Sequence, residues 1–419
     1  MKLLTLSNGH GEDEVAARVL RQLQRRCPDW DLQALPIVGE GRVYEQAGIP
    51  IYGSVRAAMP SGGFIYMDRG RVLQDVRSGL PSLTWSQLRD CRRWAADGGA
   101  ILAVGDVVPL AFAWWSGAPY AFIGTAKSEY YLRGEMDAPQ AKPSALWPWS
   151  RWLDCVYLPW ERALMQHSRC QAAFPRDRLT AQFLQKWPIP VYDLGNPMLD
   201  DLEPKGAIAR ESLPAATATV LLLPGSRPPE AYENWRSILE SITPLAVQGQ
   251  ALVFVGAIAT LLDFDRLAQT ATALGWKMAG HFSCCDVPHC VLVLGQSHLL
   301  LVKQAFSDAL HLADLAIAMA GTATEQCVGL GKPVITFPGK GPQFIWAFAE
   351  AQTRLLGPSI HLVENPSQVA ATVVKLLQQP CHAIYQRNGQ ARMGQPGSAA
   401  RIAQQLIALE DDFRRGDRR

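Results

Sequence analysis

The sequence predicts an α/β protein of two doubly wound domains. Three observations lead there: short apolar runs alternate with amphipathic segments, most runs end at a glycine or polar turn, and the series restarts once after a polar linker. The length agrees, since 419 residues exceed one ordinary core and domains run to roughly 150 residues. With 48% hydrophobic and 19% charged residues, the composition excludes a disordered chain. A net charge of +2 supplies no global field for nucleic acid, so none is expected as a partner.

A first strand is expected over 2–7 and a helix over 14–26, with Val15, Val19, Leu20 and Leu23 on one face. Further strands are expected at 101–105, 120–124, 155–158 and 191–195, then at 219–223, 251–255, 291–294, 315–319, 333–337 and 359–363. Helical segments between most of them imply parallel sheets covered on both faces. The polar run Asp200, Asp201, Glu203, Pro204, Lys205 and Gly206 reads as the hinge. This divides the chain into domains 1–198 and 199–419 with a cleft between them.

Residues 101–124 hold one charge, Asp106, and are long enough to span a bilayer. Gly105, Pro109, Gly117 and Pro119 interrupt them, so they read as a buried strand, helix and strand. The N-terminus turns polar too soon for a secretory signal, and a cytoplasmic protein is expected. The nine cysteines form no evident disulfide framework. His281, Cys284, Cys285, His289 and Cys290 are zinc-ligand types, but they fill one stretch rather than two separated pairs. They read as a loop leading into a strand, and no metal or cofactor is expected.

Ligands of open parallel sheets sit beyond the strands' carboxyl ends. In the second domain the first strand ends in Pro224, Gly225, Ser226 and Arg227. Gly225 lets backbone approach a ligand, Ser226 can donate to a phosphate oxygen, and Arg227 can pair with a diphosphate. A plain helix cap at Ser226 is the alternative. Further on, Gly321, Thr322 and Glu325 stand where a strand gives way to a helix. A helix start attracts phosphate, and Glu325 could accept from ribose hydroxyls; Thr322 and Glu325 also fit a capping box. Asp263 and Asp265 imitate a metal-binding pair but fall in a predicted helix, two residues apart, and read as surface charge.

Leu-Pro-Gly-Ser-Arg at 223–227, then Gly-Thr-Ala-Thr-Glu at 321–325 and Gly-Lys-Pro at 331–333, resemble the donor domain of the lipid-A-disaccharide synthases. The peptidoglycan N-acetylglucosaminyl transferases share the plan. The resemblance implies the glycosyltransferase-B (GT-B) fold, with two facing Rossmann-like domains. It implies that Ser226 and Arg227 hold the diphosphate of a UDP-sugar, that Glu325 holds the ribose, and that Gln343 faces the sugar. It also implies that a last helix, near 398–413, crosses back to the first domain. The likeness is sharp only over about 219–345. The first loop differs from that family, and its Gly-His-Pro at the hinge appears here as Gly195, Asn196 and Pro197.

In the first domain, Asn8, Gly9, His10 and Gly11 follow the first strand, ahead of Glu12 and Asp13. The glycines make a loop able to face the cleft, while the two acids suit a helix dipole. Asp106, alone in its apolar stretch, is expected to be buried with a raised pKa. It is the first candidate for catalytic base and His10 the second; a helix cap is the alternative for Asp106. Asn8, Gly9, Gly11 and Asn196 are the acceptor-side candidates.

Thirteen tryptophans are many, and Trp114, Trp115, Trp147, Trp149, Trp152 and Trp160 cluster. With the apolar segment 60–67 and Arg56, Arg69 and Arg71, they suit a membrane interface and a lipid-linked acceptor. The expected reaction is inverting, metal-independent transfer of a hexosyl or N-acetylhexosaminyl group from a UDP-sugar. A UDP-sugar 2-epimerase and a non-catalytic nucleotide-sugar-binding protein are the alternatives.

Overall fold

The computed structural model describes residues 1–53, 80–133, 154–279, 287–378 and 382–416. The chain divides into two compact units. The first gathers Met1–Leu132, Arg151–Asp200 and Gly394–Arg419, and the second is built on Asp201–Met393.

Unit 1 carries β1 (Lys2–Ser7), β2 (Asp31–Pro36), β3 (Ala100–Gly105), β4 (Tyr120–Gly124) and β5 (Cys170–Phe174), all parallel, in the order β2-β1-β3-β4-β5. Every residue of β3 and β4 is buried, as central strands covered on both faces require. Leu4, Leu6, Ile101 and Phe122 lie in the core. Strand order reverses between β1 and β3. Right-handed crossovers then place the helix His10–Arg26 on one face, and Leu80–Ala96, Val107–Ser116 and Pro159–Gln166 on the other. Packing agrees: Val107–Ser116 touches both of its neighbours, while Ser398–Ala408 lies on His10–Arg26. The stretch 101–124 is thus a strand, helix and strand, and no helix among the described residues is long and apolar enough to cross a membrane.

Unit 2 carries β6 (Ala218–Leu223), β7 (Leu252–Ile258), β8 (Lys277–Met278), β9 (His289–Leu294), β10 (Ser297–Lys303), β11 (Leu315–Ala318), β12 (Val334–Thr336) and β13 (Ile360–Leu362). Their order is β13-β12-β11-β6-β7-β10-β9-β8. The fully buried β6 is central, and Trp235, Phe254, Trp276 and Phe337 fill the core. Growth runs from β6 to β7 and β10, then restarts at β11 on the other side of β6. The reversal therefore lies between β6 and β11.

The structure departs from the sequence expectations in several places, and it adds β2, β5, β8 and β10, where no strand was expected. Residues 155–158 join no strand; Cys155, Val156 and Tyr157 are buried, so the apolar run reports burial alone. Residues 191–195 add only a bridge from Val191 to Ala173. The second sheet is not purely parallel, because β9 and β8 form an antiparallel edge beyond β10. The first helix begins at His10 rather than at 14, which turns the expected flexible loop into a helix start.

Two carboxylates bracket the linker. Asp200 accepts from the backbone N–H groups of Gly397 (2.6 Å), Ser398 (3.2 Å) and Ala399 (2.6 Å), so it caps the helix Ser398–Ala408 from a distance. Asp308 accepts from Lys205 (3.3 Å), Gly206 (2.7 Å) and Ala207 (3.0 Å) within unit 2. Asp200→Ala is expected to cost about 1–3 kcal/mol, since it strands three amides at a helix start. Hydrogen exchange should show 398–408 losing protection before the β1 and β3 amides; unchanged protection would contradict the cap.

Candidate functional site

Strand order reverses once in each sheet, and at such a point the loops leaving two adjacent strands diverge and open a crevice at their carboxyl ends. In unit 1 the flanking loops follow β1 and β3. In unit 2 they follow β6 and β11.

At the unit 1 crevice, Gly9 caps the helix His10–Arg26 without a side-chain hydrogen bond. Asn8, just before it, reaches across the reversal and donates from Nδ2 to Oδ1 of Asp106 at 3.2 Å. Asp106 also caps the helix Val107–Ser116, the same Oδ1 accepting from the Val108 N–H at 2.9 Å. The helix cap foreseen for Asp106 is thus realised: Oδ1 is held from two sides, and Oδ2 takes no hydrogen bond among the described residues. Gly105 has φ 134°, and a Cβ there would lie 3.2 Å from Cγ of Glu12. Glu12 accepts from the Thr125 hydroxyl at 3.4 Å, and Thr125 follows β4. Asn8, Glu12, Asp106 and Thr125 therefore surround one crevice. Glu12 and Thr125 were not foreseen; a helix start at His10 puts Glu12 in the first turn, facing back toward the cap.

Asp106 is half-buried rather than enclosed, because its apolar neighbours face the sheet while its side chain leaves at the strand end. Burial raises the carboxyl of Asp13, in the first turn of the helix His10–Arg26. It is 4% exposed and accepts from the Ser7 hydroxyl at 2.5 Å, while Tyr44 donates to Ser7 at 2.6 Å. Desolvation pushes Asp13 from 3.8 up to about 7, with Glu12 and Glu14 adding to the rise and the Ser7 hydrogen bond opposing it. Burial also holds the Tyr44 phenol well above its ordinary range.

Gly11 lies in the first helical turn. The backbone of His10 opens the helix, but its side chain lies outside the described residues, as do Trp147, Trp149, Trp152, Arg56, Arg69, Arg71, His281, Cys284, Cys285 and the segment 60–67. Asn196 is buried near the linker, where its Oδ1 accepts from the Met198 N–H at 3.0 Å and caps the turn Pro197–Leu199. No hydrogen bond joins it to Asn8 or Asp106 among the described residues.

At the unit 2 crevice, Ser226 and Arg227 are exposed and Gly225 partly so. Gly225 has φ 94°, and a Cβ there would come within 3.2 Å of the Met319 carbonyl, so the two loops approach backbone to backbone. Arg227 donates from Nη1 to Oε1 of Gln343 at 3.2 Å. That geometry depends on Glu230, buried at the start of the helix Glu230–Val247, whose Oε1 accepts from the Gln343 (3.1 Å) and Phe344 (2.7 Å) N–H groups. Asn234, one turn on, donates to the Pro224 carbonyl at 3.1 Å. Glu230 and Asn234 went unforeseen because nothing local distinguishes them from helix-face polar residues.

Across the reversal, Gly321 caps the helix Thr322–Gly329 and no side chain caps it, so the capping box that Thr322 and Glu325 could form is not realised. The first-turn amides of Thr322 and Ala323 have no intrahelical acceptor. Glu325 lies in the first turn, half-buried, behind the exposed Thr322. Asp263 caps the helix Phe264–Ala273 by accepting from the Arg266 N–H at 3.1 Å, and Asp265 is exposed in its first turn. His289 and Cys290 begin β9; the His289 ring bonds the Val287 carbonyl and the Cys290 thiol lies 3.6 Å from the Met278 sulfur.

No protein-family model matches this sequence, and no curated protein matches it. Solved structures do. The UDP-GlcNAc 2-epimerase of Neisseria meningitidis, bound to UDP-GlcNAc, is similar with a TM-score of 0.54 and 15% identity, over 97% of this chain and 100% of that one. MurG of Acinetobacter baumannii is similar with a TM-score of 0.55 and 13% identity, over 97% and 99%. The calicheamicin glycosyltransferase CalG4 has a TM-score of 0.57 and 16% identity, over 97% of each chain. These likenesses establish the fold class: an α/β protein of two Rossmann-like domains, as in GT-B glycosyltransferases.

The Asp13 carboxyl gives a test of the unit 1 site. Its proton is held up to about pH 7 in the folded chain and released near 3.8 when unfolded, so between those values the folded state binds more protons. Stability therefore falls as pH rises through that window, by at most about 4 kcal/mol. Urea unfolding at about pH 5 and pH 8 should show the native chain losing more stability across that interval than Asp13→Asn. Equal losses would refute the buried proton.

Proposed function

We propose that this chain is a nucleotide-sugar enzyme, and specifically a transferase that moves a hexosyl or N-acetylhexosaminyl group from a UDP-sugar to the hydroxyl of a lipid-like acceptor. The observation that carries the reading is the convergence of Arg227, Gln343 and the uncapped start of the helix Thr322–Gly329 at the unit 2 reversal. An arginine beside a helix start suits a diphosphate, because charge-assisted donors and aligned amides both favour concentrated negative charge. In this reading Ser226 and Arg227 hold the diphosphate, Glu325 the ribose and Gln343 the sugar. The fold neighbours support it: one was solved with UDP-GlcNAc bound, and another is a glycosyltransferase.

In the reaction, Asp106 takes the acceptor's hydroxyl proton on Oδ2, the oxygen left open by the Asn8 and Val108 bonds. His10 is the second candidate for that role. The acceptor oxygen forms a bond to the anomeric carbon as the carbon–oxygen bond to the diphosphate breaks. The electron pair leaves with the diphosphate, and Arg227 and the helix amides offset its charge. One displacement inverts the anomeric centre. The residues need no metal or cofactor in this scheme.

A second reading, 2-epimerisation of a UDP-sugar, is favoured by one observation: Glu12 stands beside Gly105 and adds a second carboxylate to the Asp106 crevice. Assays of UDP-, GDP- and ADP-sugars with and without a lipid extract separate the two. Nucleotide release that needs both a UDP-sugar and lipid is expected; epimerised sugar without lipid would replace this reading with the second. Arg227→Ala is expected to weaken UDP binding by about tenfold or more. Asp106→Asn should lower kcat by about 10²–10⁴-fold while leaving UDP affinity unchanged. Full activity in Asp106→Asn would remove it as the base.

A further inference from the structure

We propose that the helices Leu80–Ala96, Val107–Ser116 and Pro159–Gln166 form a docking surface for an anionic lipid bilayer. All three cover the same face of the unit 1 sheet, and the middle helix packs against the other two. Their outer side carries Trp85 (58% exposed), Trp114 (36%), Trp115 (40%) and Trp160 (61%). Single exposed apolar residues are ordinary, but here the Trp114 and Trp115 rings lie 6.4 Å apart and the two flanking helices each add an exposed indole. Tryptophan is suited to the headgroup level of a bilayer, where its ring meets acyl chain while its N–H stays wet.

Charge identifies the partner. Arg89, Arg92 and Arg93 are exposed on the first helix. Arg92 stacks on the Trp115 ring, 4.6 Å from its centroid, which keeps cation and indole side by side on this surface. The acids within these helices, Asp90 and Glu161, are 8% and 1% exposed. Asp90 is paired with Arg93 at 3.5 Å, and Glu161 with Lys127 at 2.5 Å. Within the three helices the outward side is thus aromatic and basic, with the exposed acids Asp97 and Asp154 lying beyond their ends, the combination that binds anionic headgroups. The helices are too short to span a bilayer, so contact is interfacial. The opposite face offers no such surface, because Ser398–Ala408 already packs on His10–Arg26 there. This inference bears on the lipid acceptor proposed above, but it stands on the surface alone and needs no catalytic step.

The full chain should co-sediment with vesicles of phosphatidylglycerol and phosphatidylcholine, bind vesicles of phosphatidylcholine alone far less, and release as salt rises. Brominated lipid should quench part of its tryptophan fluorescence. The double variants Trp85→Ser with Trp160→Ser, and Arg89→Glu with Arg92→Glu, should each lower vesicle affinity by about tenfold or more. UDP affinity, measured on the same samples, should match the native chain, so that failure here is separable from failure of the donor-site reading. The proposal is overturned if the native chain ignores anionic vesicles, or if both double variants, with native circular dichroism and thermal unfolding, bind them as the native chain does. Binding of RNA or DNA through these arginines without vesicle binding would also overturn it.

Discussion

A single reversal of strand order in each sheet is the constraint on which the rest of this structure depends. Crossovers between parallel strands are right-handed, so helices on either side of a reversal go to opposite faces. The loops after β1 and β3, and those after β6 and β11, are therefore driven apart. Each pair opens a crevice over the buried centre of its sheet. Gly105 and Gly225, both at positive φ, permit close approaches there, of the Glu12 side chain to Gly105 and of the Met319 carbonyl to Gly225.

Buried polar groups then fix what the crevices present. In unit 2, Glu230 and Asn234 are buried and hydrogen-bond to loop backbone, which sets the loops on which Arg227 and Gln343 meet. In unit 1, Asn8 and the Val108 amide fix one oxygen of Asp106. The hydrogen-bonded row Tyr44, Ser7 and Asp13 includes a buried carboxyl that desolvation raises to about 7. Rigid strands with adaptable ends are the general solution to placing reactive groups, and both units follow it.

Much of this was legible in the sequence, for reasons that also explain the rest. Buried parallel strands are continuous apolar runs, so β1, β3, β4 and β6 could be read nearly to the residue. Edge strands are not: β2 alternates apolar and polar positions, and β8 has two exposed residues. The run 155–158 misled because burial, not pairing, makes residues apolar. At the sites, Asp106 was legible because a charge is out of place in its apolar stretch, and Arg227 because it closes the run Leu-Pro-Gly-Ser-Arg at a strand end. Glu12 and Asp13 were not, because two acids at a helix start are explained by the dipole alone; only the depth of Asp13 and the partner of Glu12 distinguish them. Glu230 acts through tertiary contacts more than a hundred positions away, which no local pattern encodes.

The central claim is that the unit 2 reversal holds a nucleotide diphosphate. A UDP photoaffinity probe, cross-linked to the whole chain and mapped by mass spectrometry, tests it most directly. The account predicts labelled peptides within 219–232 and 319–330, protected by excess UDP and lost in Arg227→Ala. Labelling confined to other segments, or labelling that excess UDP fails to protect, would contradict it.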